Sequence, residues 1–227
     1  MSMTTLPLTL ALTLVLSTSL LLWSDCAAAN TRTFEFDVFL DGEPMGTHRY
    51  TLSMSGERVK VVSEASYTVK VLFVTAWRYK HRSEEEWLQG CLRAIDSITD
   101  ENGREFHVNG EATADGLELE TQDGPQIHPG CVRSFAYWHP DLHESTTLMN
   151  AQTGKVEPVT METLPSRPAP RQSNTTGGKV FGIRGKDIHI DVWHGESGTW
   201  YGLSSRTAEG RLIEYLLRGT TAESSKH

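Results

Sequence analysis

His139 and His143, with Glu144 directly after, form the arrangement in this chain best suited to chemistry. On a regular helix, imidazoles four residues apart face one side, and the neighbouring carboxylate would act as a third metal ligand or as a general base. Pro140 lies between the two histidines and interrupts such a helix. No further ligand is identifiable from the sequence, so the competing expectation is a polar loop beside the aromatic cluster Phe135, Tyr137 and Trp138. Other reaction signatures are missing. Gly-x-Ser-x-Gly is absent, and Gly195-Glu-Ser197-Gly198 lacks the spacing of a nucleophile elbow. Phosphate-binding glycine loops, the helical zinc-protease motif and Cys-x-x-Cys are also missing, and no cofactor is implied. Asp96, Asp100 and Glu101 could form an acid pair, but acids beside the Asn102-Gly103 turn ordinarily face solvent. His81, His107, His128, His189 and His194 read as surface or hydrogen-bonded single residues.

A second constellation is aromatic. Val59 to Ser83 has no turn signal, and is either one long bent strand or two strands meeting near Leu72-Phe73-Val74. Side chains alternate along a strand, so Tyr67, Val69, Val71, Phe73, Thr75, Trp77, Tyr79 and His81 share one face. Arg78, Lys80 and Arg82 share the other, as a row that either receives an anionic ligand or is solvated and paired with Glu84, Glu85 and Glu86. Trp77 and Tyr79, together with Phe135, Tyr137 and Trp138, are the expected walls of a site for an apolar or amphipathic ligand; the competing expectation is ordinary core.

The bulk properties limit the partners. Leu8 to Trp23 is a short apolar run, followed by Ala27-Ala28-Ala29, which is the pattern of a cleavable signal peptide over residues 1–29. The absence of Lys and Arg ahead of the run leaves an uncleaved anchor as an alternative, and Cys26 invites a lipoprotein reading. From Asn30 onward the chain carries 21 Lys and Arg against 28 Asp and Glu, a net charge of −7. An acidic chain without a basic cluster is a poor binder of nucleic acid or anionic membrane. Two cysteines remain after the leader, Cys91 and Cys131, an even number in an exported chain that argues for one disulfide against two buried thiols.

The elements that must position these residues are strands. Phe34, Phe36, Val38 and Leu40 alternate with Glu35 and Asp37, which is a half-buried strand, and Asp41-Gly42 turns it. His48 to Met54 returns, and Trp87 to Thr99 ends at the hairpin signal Asn102-Gly103. Short strands at Glu105 to Val108 and Leu117 to Glu120 precede a Gly- and Pro-bearing loop over Gln122 to Gly130. Phe135, Trp138 and Leu142 fall at near-helical spacing, predicting a short helix within Arg133 to Leu142 that acts as a plug or lid. After a strand at Lys155 to Leu164 comes a surface linker over 165–178. Val180 to Arg184, Ile188 to Trp193, Trp200 to Arg206 and Leu212 to Leu217 then form an antiparallel meander that is too small to fold alone and must rejoin the first part. The expected architecture is all-β with one or two short helices: a curved antiparallel sheet or half-open barrel of about ten strands. It forms a single domain over 30–219, followed by a disordered tail over 220–227.

Several motifs together carry a resemblance: Phe39-Leu-Asp-Gly42 with Gly46-Thr-His-Arg49, Arg78-Tyr-Lys-His81, Glu86-Trp87 before Cys91-Leu92, Ser134-Phe-Ala-Tyr-Trp138, Asn150-Ala-Gln-Thr-Gly154 and Asp191-Val-Trp193. In these the chain resembles an uncharacterised family of exported bacterial proteins, a domain of unknown function, which supplies no activity. More distantly, its layout is similar to the half-open β-barrels of envelope lipid carriers, a likeness of architecture only. The functional expectation is a periplasmic, non-enzymatic binding protein for an apolar or amphipathic small molecule, possible lipids included. One alternative is an envelope protein-interaction or assembly module working through an exposed sheet edge. Another is a metal-dependent enzyme built on His139, His143 and Glu144.

Overall fold

The computed structural model describes residues 30–71, 74–172 and 178–224. The expected leader, with Cys26, lies outside the described residues, as do Leu72 and Phe73 and part of the expected linker. The chain runs β1 (Asn30–Leu40), β2 (Glu43–Ser55), β3 (Arg58–Val71), β4 (Val74–Leu88), β5 (Cys91–Glu101), β6 (Arg104–Ala112), β7 (Leu117–Thr121) and β8 (Gly124–His128). A single 3-10 turn follows (Pro140–Glu144), then β9 (Thr147–Met149), β10 (Val156–Pro158), β11 (Thr160–Leu164), β12 (Lys179–Arg184), β13 (His189–His194), β14 (Trp200–Arg206) and β15 (Leu212–Ser224).

Thirteen of these strands make one sheet in the order β11-β12-β13-β14-β15-β1-β2-β3-β4-β5-β6-β7-β8, while β9 and β10 form a separate ribbon. Every neighbour in the large sheet is a chain neighbour except at one place, where β15 lies against β1 and joins the two ends of the described chain, from Asn30 opposite Ser224 to Leu40 opposite Ile213. Laid flat, thirteen strands would span roughly 58 Å. Yet Leu117 and Leu119 of β7 share one core cluster with Ile183 of β12 and Leu203 of β14. The sheet is therefore rolled, with β8 and β11 as its edges, unpaired on one side among the described residues. Register shifts at Glu35/Phe36, Val38/Phe39, Val69/Lys70 and Glu86/Trp87 supply the local bends that such curling needs.

Three expectations are corrected. The sheet has thirteen strands rather than about ten. One reason is Gly124–His128, expected as loop because of Pro125: it is an edge strand, the position where a residue without an N–H costs no ladder bond. The boundary before β5 also moves, from Ser83/Trp87 to the turn at Gln89-Gly90, where both residues have positive φ (53° and 74°), as in the Asn102-Gly103 turn (54° and 88°). Glycine takes this conformation freely, but glutamine is not a residue that announces it. The second correction concerns the C-terminus: β15 continues to Ser224, because residues 220–224 pair with Asn30 to Phe34. The third concerns Arg133 to Leu142, which forms no helix apart from the turn that starts at Pro140. Proline suits that first position, and the His139 side chain caps it by accepting from the Asp141 N–H at 3.1 Å.

The segment after β8 fills the rolled sheet. Val132, Ala136, Trp138, Leu142, Leu148 and Met149 are all buried in the same cluster as the strands' inward residues. Trp200, fully buried, ties this plug to the sheet through Tyr137 (centroids 5.5 Å apart) and through Phe36 (4.2 Å). Cys91 at the start of β5 and Cys131 at the start of the plug form a disulfide. Closing a loop across 40 positions of sequence is worth about 4 kcal/mol on the chain-entropy account.

Candidate functional site

Alternation decides which side chains of β2 to β4 look inward. On β2 they are His48, Tyr50 and Leu52; on β3, Val61, Ser63, Ala65 and Tyr67; on β4, Tyr79, His81, Ser83, Glu85 and Trp87. The plug covers most of this face, but between them stays a half-open cleft of about 320 Å³. Its floor is polar, with His48, Ser63, Ser83, Glu85 and Ser134 all buried. Its roof comes from Phe135, Ala136, Tyr137 and Trp138, and its far wall includes Ile188, Ile190 and Tyr215. Four of the five predicted wall residues, Tyr79, Phe135, Tyr137 and Trp138, thus border one cavity. Trp77 does not; it stacks on Tyr79 with centroids 5.6 Å apart.

Two buried polar groups organise the floor. His48 stands at the centre of the first: Nε2 meets Ser63 Oγ at 2.7 Å, and Nδ1 meets the hydroxyls of Tyr67 and Tyr215, each at 3.1 Å. Those two hydroxyls bond each other at 2.6 Å. Burial holds the His48 imidazole well below its ordinary pKa, so it is neutral, and pushes the Tyr67 phenol up. Tyr215 is pushed by burial to about 12. The second group is Glu85, whose Oε2 accepts from Trp87 Nε1–H at 2.8 Å and from the Ser134 hydroxyl at 3.2 Å. Burial raises its pKa to about 7, against the two donors, which pull the other way. Nearby, His81 bonds Thr99 at 2.7 Å, and burial lowers its pKa to about 4. Three hydrogen bonds hold the plug's backbone and side chains in place: His194 Nε2 donates to the Tyr137 carbonyl at 2.7 Å, Tyr79 Oη donates to Gln152, and Gln152 donates to Glu101.

Ser63 beside His48 has the spacing of a nucleophile and its base, but the third place is wrong for that chemistry. An imidazolium formed at His48 would face two tyrosine hydroxyls instead of a carboxylate, in an environment that already depresses its pKa. The pair is built to hold a neutral hydrogen-bond network.

The metal reading is overturned. With the 3-10 turn beginning after His139, the imidazoles part: His139 stacks near Trp87 (6.1 Å), and His143 lies on Phe181 (5.0 Å), its Nδ1 donating to the Pro140 carbonyl. Among the described residues no group of three His, Cys, Asp or Glu side chains is placed to hold a metal ion. Glu85 is a further correction. It does not join Glu84 in the solvated outer row, where Arg82 pairs with Glu64 and Glu84; it turns inward. Its odd position, in phase with Tyr79 and His81, was the available signal. His48 and Tyr215 had no such signal, because they lie 167 positions apart.

A rolled, unclosed antiparallel sheet packed around its own connecting segment defines a barrel-like all-β protein. The chain belongs to the family described as Domain of unknown function (DUF6134), which matches residues 36–218. In fold it is similar to a solved structure described as a beta-barrel-like protein of Domain of Unknown Function DUF1849 from Brucella abortus. The TM-score is 0.60 over 88% of this chain and 99% of that one, at 9% identity, a likeness of fold alone. No curated protein matches the sequence.

Proposed function

We propose that this is an exported, non-enzymatic binding protein that holds a small amphipathic molecule in the cleft between plug and sheet. The observation that carries the reading is the cleft's composition: an aromatic roof and wall facing a floor of buried, hydrogen-bonding groups. Small-molecule sites combine apolar walls with a few placed polar groups in this way, and about 320 Å³ stands at the lower end of the roughly 300–1,000 Å³ they occupy. The ligand is accordingly small, or is the end of a longer molecule. The Cys91–Cys131 disulfide and the apolar leader both support a periplasmic setting.

The assembly alternative rests on the two free edges, but β8 and β11 have five residues each and β8 carries Pro125. Short, proline-bearing edges discourage strand addition. Native mass spectrometry and solvent extraction of protein purified from the cell envelope test the reading. A stoichiometric small molecule, lost when Tyr137 and Trp138 are both changed to Ala in a chain that still folds, is expected. Protein that comes clean of any small molecule while retaining a stable macromolecular partner would overturn it.

A further inference from the structure

Among the described residues Glu85 is the one acid buried in the cleft floor, 6% exposed, and its two oxygens are unequally served. Oε2 takes both available donors, Trp87 and Ser134. Among the described residues, Oε1 has no hydrogen-bond partner. Nor is it sealed in the interior, because Ser97 Oγ is the only fully enclosed side-chain polar atom without a partner among those residues. Glu85 also borders a groove on the outer face beside Lys60 and Glu86, but its side chain turns inward onto Ser134 of the plug, and that places Oε1 on the cleft side.

The described residues of the cleft offer no cation to meet it. Among the described residues no lysine or arginine lines the cavity, and its second acid is Asp187. The two histidines on the wall are neutral and already engaged, His48 with Ser63 and the tyrosines, His81 with Thr99. A buried carboxylate is costly unless a positive or hydrogen-bonding group compensates it. The rings of Tyr50, Phe135, Tyr137 and Trp138 also border the space, and such rings attract a cation through their faces. An anionic headgroup would meet the opposite: two acids and no positive charge.

We infer that the cleft recognises an organic amine, its ammonium donating to Glu85 Oε1 among these rings and its apolar portion lying along Val61, Ala65, Ile188 and Ile190. This assignment rests on the reading of the cleft as a ligand site, and the experiment separates the two. Three probes of similar shape, phenethylamine, 2-phenylethanol and 3-phenylpropionate, are titrated into the purified full-length protein by calorimetry. The amine is expected to bind at least tenfold more tightly than the alcohol, with the acid weakest, and Glu85→Gln is expected to erase the amine's advantage over the alcohol. On the unaltered chain, 13C NMR of the Glu85 carboxyl should shift with phenethylamine and stay still with the alcohol. If the alcohol or the acid binds as well as the amine, or the advantage survives Glu85→Gln, the amine assignment falls and the cleft reading stands. If none of the three binds at millimolar concentration, both fall.

Discussion

Glu85→Gln keeps the shape of the cleft floor and removes one ionisation, so its effect on stability must depend on pH. The amide oxygen can still accept from Trp87 Nε1–H and the Ser134 hydroxyl. In the unfolded chain a glutamate titrates near 4.5, whereas in the folded protein burial moves Glu85 to about 7. Between those two values the folded state binds more protons than the unfolded state, so stability falls as pH rises. The penalty is nearly absent well below pH 4.5 and complete above about pH 7. Between pH 5 and pH 8 the wild-type protein should lose about 2–3 kcal/mol through this group, a cost the glutamine variant does not bear. All other titrating groups are common to both proteins and cancel in the difference. Urea unfolding of both chains at half-unit steps across this range is the assay. The stability of Glu85→Gln relative to wild type should climb by about 2–3 kcal/mol from the acid to the alkaline end. A difference that stays flat with pH would refute the argument, because it would mean that the carboxyl titrates alike in both states and is not desolvated by the floor.

Tyr67→Phe leaves the Tyr215 hydroxyl and His48 Nδ1 short of a partner inside the core; a loss of about 1–3 kcal/mol in urea unfolding is expected, and an unchanged midpoint would mean that the network is not holding the floor. Changing Cys91 and Cys131 together to Ser should cost about 4 kcal/mol in guanidinium unfolding under oxidising conditions. The same double variant compared with wild type in reducing buffer should show little difference, since both then lack the cross-link. A fluorophosphonate reagent should leave Ser63 unlabelled at neutral pH, as read by peptide mass spectrometry. Stoichiometric labelling would reverse the judgement that the Ser63 and His48 pair is structural.

Much of this molecule is written in local alternation. Phe34, Phe36, Val38 and Leu40 are buried as their period of two requires, and the four strands from Lys179 onward fall within a residue or so of where their turns put them, apart from the longer end of β15. The same period places Glu85 on the inner face, yet three glutamates in a row read naturally as a solvated run, because charge is cheapest in water. Alternation states only which side a residue faces. It does not say which strand lies beside which, how far the sheet curls, or what fills it. Those depend on pairings such as β15 against β1, and on the Ser134 to Trp138 segment packing into the rolled face. The cleft belongs to this second group. His48, Tyr67 and Tyr215 reach one another, and four predicted aromatic residues border one space, through contacts between residues far apart in the chain, whose packing no local pattern encodes.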